Sequence, residues 1–139
     1  MNTLRAAIVP GLIGGVLSVV ASWFWMGFVF HSFQRKTPDT WRPEGGKSYL
    51  GSSLLHIFAA IGVASLLTVI TRFQIAFFGA GMFPSIRFGL CLWGALSVPM
   101  ILEEAIYIRL HPLVVVGQLL DWLSTLVLAS AVTGWWLGR

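Results

Sequence analysis

The sequence predicts an all-α integral membrane protein, built as one bundle of four transmembrane helices. Apolar residues make up 57% of the 139 residues, only 10% are charged, and the mean hydropathy is +0.84. A soluble domain carries about 25% charged residues. Nine basic and five acidic side chains are too few to cover a water-facing surface. The same composition excludes a disordered chain, a coiled coil, collagen and a disulfide-stapled scaffold.

Four apolar stretches are long enough to cross a bilayer. The hydrocarbon core is about 30 Å thick and takes about 20 mostly apolar helical residues. We expect the first stretch to remain as a membrane helix, because its apolar run continues through Trp23–Met26 and is too long for a signal-peptide core. The predicted spans, which together form a single domain over 1–139, are 6–30, 48–71, 86–108 and 113–137.

The connections between these spans differ in character. Segment 31–47 is polar and contains Pro38 and Pro43, which indicates a loop. Segment 72–85 is rich in Phe, and we expect it to lie in the membrane interface. Residues 109–112 form a tight hairpin. Lys and Arg divide four against five between the two sides, which leaves the orientation open, although the four in the first loop favour a cytoplasmic location for it.

The excess of basic over acidic residues indicates contact with lipid headgroups rather than with nucleic acid. The formal net charge is +4 and the isoelectric point is about 10.0. The nine basic residues are spread along the chain and form no basic face with interleaved aromatic residues, so we expect no nucleic-acid partner. Basic residues beside anionic headgroups explain the balance. Cys91 is the only cysteine, which excludes an intrachain disulfide.

Small residues on the first span predict close helix packing. Gly11 and Gly15 form a GxxxG pair, and Ser18 and Ser22 continue the same face at helical spacing. Such faces allow two helix backbones to approach closely in a membrane. Packing inside the bundle is the favoured interpretation, and homodimerisation through the first helix is the alternative. In the third span, Pro99 predicts a kink.

A polar cluster is the most informative feature of the sequence. His56 and Asp121 each lie eight residues into a span that enters from the first-loop side, which is about 12 Å along the helix. Glu103 and Glu104 end the third span on that side, and Gln118 precedes Asp121 by one turn. One half of the membrane therefore holds nearly every buried polar group, and the other half is expected to be apolar. This pattern predicts a polar pocket that opens towards one side.

Ionisable groups inside a bilayer are functional candidates by default. A proton or cation relay would use His56, Asp121 and a Glu. The alternative is a structural network in which Asp121 pairs with His56 or Gln118, while Glu103 and Glu104 reach to the interface. No span has the His and Glu spacing of a metal site, so we predict no metal. Nucleophilic catalysis would depend on a Ser beside His56, and we do not expect an enzyme.

Short aromatic and glycine motifs recur along the four spans. They are Trp23-Phe24-Trp25 and Phe28-Val29-Phe30 in the first, Tyr49 at the start of the second, Gly89, Trp93-Gly94, Pro99 and Glu103 or Glu104 in the third, and Gly134-Trp135-Trp136 in the fourth. This order resembles a family of small bacterial four-helix membrane proteins, the domain of unknown function 1761. The resemblance covers nearly the whole chain. It implies a four-helix bundle in the bacterial inner membrane, and it carries over no catalytic residue.

The function expected from these observations is that of a structural or accessory subunit of a membrane complex or homo-oligomer. The expected partners are membrane lipids and other membrane subunits or a second copy of the chain. The alternative is a small oligomeric transporter or proton-translocating unit that uses the polar pocket, although the two halves of the chain show no repeat. No cofactor is predicted. A lipid-soluble ligand such as a quinone or a pigment remains a third interpretation.

Overall fold

The predicted all-α architecture with four membrane-spanning helices is confirmed. The computed structural model describes residues 3–41, 45–73, 78 and 80–139, and these ranges contain helices and turns but no strand. Parts of the predicted first loop and of the predicted interface linker, 42–44, 74–77 and 79, lie outside the described residues. The helices long and apolar enough to cross a membrane are Arg5–Val29, Gly46–Arg72, Met82–Tyr107 and Pro112–Leu137.

Two of the four spans, the first and the third, contain a π-helical segment. The first consists of α1 (Thr3–Ser22) and a π-helical segment over Trp23–Val29. The second is α3 (Gly46–Arg72) and the fourth is α6 (Pro112–Leu137). The third consists of α4 (Met82–Leu92), a π-helical segment over Trp93–Ser97 and α5 (Val98–Tyr107). The first loop holds the single-turn helix α2 (His31–Gln34) and a 3₁₀ turn over Pro38–Thr40.

The third span begins four residues earlier than the sequence predicted. Pro84 suggests a loop, yet it is the third residue of α4 and so lies in the first helical turn. The first turn tolerates proline because its backbone N–H groups have no partner within the helix. Gly81 precedes the helix with φ of 115°, a conformation that favours glycine. The chain thus turns at Gly81 and not at Ser85.

The π-helical segment of the third span lies directly before Pro99. In an α-helix, Pro99 would leave the carbonyl of Ala95 without a donor, since proline has no backbone N–H. The chain widens its turn instead, and the N–H of Val98 donates to the carbonyl of Trp93, five residues back. The wider turn is the local response to the proline that the sequence predicted as a kink.

Helix α6 is the centre of the bundle. It packs against α1, α3 and α4, whereas α4 touches α3 only slightly. The buried core lies where α3, α4 and α6 meet and consists of Ala60, Val63, Leu67, Phe88, Leu126 and Ala129. Two indole groups tie other segments to α6: Trp25 Nε1 donates to Ser124 Oγ at 2.9 Å, and Trp93 Nε1 donates to the carbonyl of Leu119 at 2.9 Å.

The small-residue face of α1 packs inside the chain. A methyl group placed on Gly11 would lie 2.7 Å from the Cα of Ile61, and one on Gly15 would lie 2.8 Å from the Cα of Ile57. Ser18 is fully buried against α6. This contact favours packing within the bundle over homodimerisation through α1, because the face is already covered by the second and fourth spans.

A reciprocal contact of serine and glycine joins α4 to α6, which the sequence analysis did not foresee. Ser85 lies against Gly134, and Ser130 lies against Gly89, so a Cβ atom on either glycine would collide with the opposite helix. Each helix carries the pattern serine, three residues, glycine, and the helices run in opposite directions. Small residues at matched positions let the backbones approach closely. This contact holds the third span to the bundle.

Candidate functional site

The bundle encloses a partly open cavity of about 990 Å³ in the half that adjoins the first loop. Its walls come from the first span, α2, the start of α3 and α6. The lining residues are Val19, Val20, Ser22, Trp23, Met26, Gly27, His31, Gln34, Ser48, Tyr49, Ser52, Ser53, Leu55, His56, Gln118, Asp121 and Trp122. The structure thus contains a one-sided pocket, lined by three of the five residues predicted for it.

His56 and Asp121 form a buried pair in this cavity. Only 5% of His56 and 6% of Asp121 is exposed. His56 Nε2 lies 3.3 Å from Asp121 Oδ1. On its other side, His56 Nδ1 lies 2.8 Å from the carbonyl oxygen of Ser52, one turn earlier on α3. Matched depths on two helices that enter from the same face bring the two side chains together.

Two protonation states of the pair satisfy both contacts of His56. A carbonyl oxygen only accepts, so Nδ1 must carry a hydrogen and donate it to Ser52. Nε2 then faces a carboxylate oxygen, and the contact requires a proton on one of the two atoms. The pair is therefore either an imidazolium with a carboxylate or a neutral imidazole with a carboxylic acid. In both forms it shares one proton and has no net charge.

Neighbouring side chains orient the pair. Ser22 Oγ donates to Asp121 Oδ2 at 3.2 Å, so the second carboxylate oxygen also has a partner. The ring of Trp122 stacks on His56 with 5.4 Å between centroids and 15° between planes. Ser22 was predicted only as a packing residue, and its role as a hydrogen-bond donor to Asp121 depends on the relative rotation of α1 and α6. The geometry accounts for a single, fixed arrangement of both ionisable groups.

Tight packing closes the bundle beyond this pair. A methyl group placed on Gly14 would lie 2.9 Å from the Cα of Ala129, so α1 and α6 touch through their backbones. Ser18 Oγ, one turn beyond Ser22, donates to the carbonyl of Gly14 at 2.7 Å. Along the first span the cavity lining reaches from Gly27 to Val19, and Ser18 and Gly14 lie beyond it.

The half beyond the pair is less apolar than predicted. Serine and threonine hydroxyls are buried throughout its core, at Ser18, Thr68, Ser85, Thr125, Ser130 and Thr133. Thr68 and Thr133 donate to the carbonyl four residues earlier on their own helix, at 2.7 Å each. The prediction of an apolar half was wrong because it overlooked small hydroxyl side chains. Ser18, Thr68 and Thr133 each bond to the carbonyl four residues earlier on their own helix and so need no polar neighbour. The hydroxyls of Ser85, Thr125 and Ser130 have no hydrogen-bond partner among the described residues.

Gln118 lies on the cavity wall one turn from Asp121 along α6. Its side-chain oxygen Oε1 is buried and accepts no hydrogen bond from the residues that the structure describes. A buried polar atom without a partner costs free energy, about 1–3 kcal/mol in typical proteins. The Gln118 oxygen is therefore a buried acceptor without a protein donor among the described residues, and it is not on the accessible surface of the cavity.

The structure does not bring Glu103 and Glu104 to the cavity. Both are exposed on α5, and neither contributes to its lining. On α5 the buried residue is Ile101. Glu103, two residues later, lies on the opposite side of the helix, and Glu104, three residues later, lies nearer the side of Ile101 but is still exposed. Their placement near the end of the third span matches the alternative in which these side chains reach to the interface.

Two histidines lie near the first-loop end of the bundle. His31 lines the cavity and lies 3.1 Å from a guanidinium nitrogen of Arg35. His111 is the N-cap of α6, where its Nδ1 accepts from the N–H of Leu113 at 3.2 Å, and its ring stacks on Phe33. His31 thus contributes to the cavity, whereas His111 serves to begin a helix.

The arrangement is a poor fit to nucleophilic catalysis. Both ring nitrogens of His56 are already engaged, by Ser52 and by Asp121, and Ser22 bonds to the carboxylate instead of the ring. A serine nucleophile needs a histidine nitrogen as its base. In the described ranges, no group of three His, Cys, Asp or Glu side chains lies close enough to hold a metal ion. What the cavity offers is a hydrogen-bonded pair of ionisable groups, His56 and Asp121, among other hydrogen-bonding side chains.

Sequence reasoning missed several cavity residues that carry no charge. Gln34, Tyr49 and Trp122 all line it. The position of Trp122 beside Asp121 in the sequence is a usable signal for an aromatic wall. No family model, curated protein or solved structure matches this chain. The resemblance to the domain of unknown function 1761 therefore stays a prediction.

Proposed function

We propose that this integral membrane protein is an accessory subunit of a larger complex in the bacterial inner membrane. The observation that carries the proposal is the third span. In the most apolar 18-residue stretch of this span, 22% of the residues are buried within the chain, against 33–44% in the other three spans. It packs mainly on α6. Most of its surface is thus available to a helix of another subunit.

The charge on this exposed span supports the same proposal. Glu103 and Glu104 lie three to four residues before the end of α5, about 6 Å or less from it. Neither side chain forms an ion pair or hydrogen bond with a residue that the structure describes. Carboxylates on a membrane helix are expensive and are usually paired. A partner helix with Lys or Arg at this depth would neutralise them.

This proposal predicts that Glu103→Gln combined with Glu104→Gln weakens assembly. Removal of both charges leaves shape and hydrogen bonding nearly unchanged, so the bundle should fold as before. The amount of partner subunit that co-purifies in mild detergent should fall about tenfold, the effect of a loss near 1.4 kcal/mol. Quantitative mass spectrometry of the purified complex measures that amount.

The matched control is Asp39→Asn, an acid-to-amide change at an exposed position in the first loop. We expect it to leave the recovered amount of partner unchanged. If the double Glu variant recovers the same partner in the same amount as the wild type, Glu103 and Glu104 do not hold the interface. If the wild-type protein recovers no partner at all, the accessory-subunit proposal fails.

A second candidate function is supported by the shared proton of His56 and Asp121. An oligomer of this chain would then translocate protons or cations through the cavity. Against it stands the closed contact between Gly14 and Ala129, which ends the cavity inside the bundle. The accessory proposal is favoured because the cavity lies in one half of the bundle, and α1 and α6 are in backbone contact beyond it.

Proteoliposomes distinguish the two functions. We expect the wild-type protein, reconstituted with a pH gradient and a pH-sensitive dye inside, to give no proton flux above empty vesicles. Asp121→Asn should give the same baseline, because its amide can donate to His56 and accept from Ser22 without any shared proton. A wild-type flux that Asp121→Asn abolishes would establish translocation and overturn the accessory interpretation.

A further inference from the structure

The cavity is a cleft that opens sideways between the first span and the start of α3. Helix α1 packs along α3, but the π-helical segment Trp23–Val29 packs on α6 and has little contact with α3. Val20 and Trp23 on one edge of the gap are 59% and 67% exposed, and Leu55 on the other edge is 63% exposed, yet all three line the cavity. These residues belong to membrane-spanning helices, so the cleft faces the acyl chains of the bilayer.

The depth of the cleft matches one leaflet. On α3 its lining runs from Ser48 to His56, which is about 12 Å along the helix. Half of a hydrocarbon core about 30 Å thick is about 15 Å. The mouth at Ser48 lies two residues after the start of α3, and the floor lies at His56 and Asp121. The cleft therefore has room for the upper part of an acyl chain, with the attached headgroup at the mouth.

The interior of the cleft suits an acyl chain although its floor holds ionisable groups. His56 and Asp121 direct their polar atoms at each other, at the carbonyl of Ser52 and at Ser22. The ring of Trp122 stacks on His56 and covers one face of it. The edges of the opening are the apolar side chains described above, so a chain that enters the cleft from the bilayer first meets hydrocarbon.

Basic side chains lie at the mouth of the cleft. The guanidinium group of Arg35 donates to His31 Nε2 at 3.1 Å, and His31 lines the cavity, so this charge lies beside the opening. Lys47 is exposed and directly precedes Ser48, which lines the cavity on α3. The whole segment 31–47 carries four basic residues against two acidic ones. Basic groups at a membrane surface attract anionic headgroups, so the charge at the mouth favours an anionic lipid.

We infer that this cleft binds one anionic phospholipid. Its phosphate lies at the mouth beside Arg35 and Lys47, and one acyl chain lies between Trp23 and Leu55. The inference goes beyond the accessory-subunit proposal and does not rest on it, because the described lining comes from the first span, α2, α3 and α6 and not from the third span.

A lipid titration followed by native mass spectrometry tests the inference. The purified protein, in a mild detergent, is titrated with dioleoylphosphatidylglycerol or with dioleoylphosphatidylcholine, which have the same acyl chains and differ in headgroup charge. We expect the first phosphatidylglycerol molecule to bind about tenfold more tightly than the first phosphatidylcholine molecule. Equal affinity of the two lipids would overturn the inference.

A soluble competitor distinguishes a lipid site from a phosphate site. The compound sn-glycerol 3-phosphate carries the phosphate and the glycerol of the lipid but no acyl chain. We expect it not to displace the bound phosphatidylglycerol, even in large excess, because the chain in the cleft contributes to binding. Displacement would assign the mouth to free phosphates and would overturn the inference.

Two matched double variants locate the headgroup. Arg35→Gln combined with Lys47→Gln should reduce the tenfold preference for phosphatidylglycerol to about twofold or less, since it removes the charges at the mouth. The control is Arg5→Gln combined with Arg139→Gln, which removes two exposed cations at the opposite end of the bundle and should keep the preference. All four side chains are exposed, so both variants should fold. A preference that survives the first pair of changes, or falls equally with the second, would contradict the inference.

A bulky side chain in the cleft tests the position of the acyl chain. Ser52 is exposed and lines the cavity, so Ser52→Trp should fold and should lower the affinity for both lipids about tenfold. Ser65→Trp, at an exposed position farther along α3 and outside the described lining, is the matched control and should bind both lipids as the wild type does. Unchanged lipid binding in Ser52→Trp would overturn the inference. If that variant instead loses a co-purifying protein and keeps its lipid, the cleft is a protein contact and the inference fails.

Discussion

Asp121→Leu and His56→Leu are each expected to lower the free energy of unfolding by about 2–4 kcal/mol, while the double variant loses much less than their sum. Either single change leaves a buried polar group without its partner, which costs more than the pair itself contributes. Replacement of both groups by leucine removes the unsatisfied atoms together. Unfolding in mixed micelles, followed by circular dichroism, gives the three values and the coupling between them.

Asp121→Asn is the control for this cycle. The amide nitrogen can donate to His56 Nε2 while the amide oxygen accepts from Ser22, so every hydrogen bond of the site is kept. We expect a loss of less than about 1 kcal/mol. Additive effects of the two leucine changes would mean that His56 and Asp121 do not interact. A large loss from the asparagine change would mean that the negative charge itself holds the fold.

Gly11→Ala and Gly15→Ala are expected to destabilise the bundle by about 1–3 kcal/mol each, the usual cost of overpacking. The added methyl group meets the backbone of α3 at 2.7 Å or 2.8 Å, and a backbone gives way less readily than a flexible side chain. The same unfolding measurement applies.

Gly62→Ala on α3 is the matched control, because nothing lies within 4 Å of the added methyl group. Alanine is the better helix former, so this variant should be neutral or slightly stabilised. If the α1 face instead joined two copies of the chain, Gly11→Ala and Gly15→Ala would change the oligomeric state in size-exclusion chromatography and leave the stability of the monomer unchanged. That result would restore homodimerisation through α1.

The architecture and the depth of the buried pair followed from the sequence. Four apolar stretches predict four helices, because each stretch has the length that a helix needs to cross the hydrocarbon core of the bilayer. His56 and Asp121 lie at the same depth because both are counted from helix starts on the same face. The depth of a residue along a helix is the number of residues from the helix start multiplied by a rise of about 1.5 Å per residue. For this reason the sequence placed these two residues at a similar depth and left the partner of Asp121 open between His56 and Gln118, and the structure brings His56 within 3.3 Å.

The rotation of each helix about its axis was beyond the sequence. Glu103 and Glu104 have the right depth for the cavity, yet α5 turns them outwards. In soluble proteins a polar face marks the outside, but a lipid-facing helix is apolar on both its buried and its exposed sides, so its pattern gives no rotation. The π-helical segment at Trp23–Val29 likewise changes the rotation of its own residues relative to α1.

The closed contact beyond the pair depends on tertiary packing for the same reason. Gly14 was not among the predicted packing residues, although Gly11 and Gly15 were. It lies against Ala129, while its neighbour Gly15 faces α3, so adjacent glycines serve two different helix contacts. Both faces of α1 are used because α1 packs against α6, which lies between α1, α3 and α4, as well as against α3. It is also what ends the cavity at His56 and Asp121.

The central claim is that His56 bridges the carbonyl of Ser52 and the carboxyl group of Asp121, and ¹⁵N NMR of histidine-labelled protein tests it most directly. The chain has only three histidines, and His31→Gln and His111→Gln assign the signals. At pH about 9, above the ordinary titration range of histidine, we expect His56 to carry a hydrogen on Nδ1. His111 should carry its hydrogen on Nε2, since its Nδ1 accepts from Leu113. A His56 ring with a bare Nδ1 would contradict the claim.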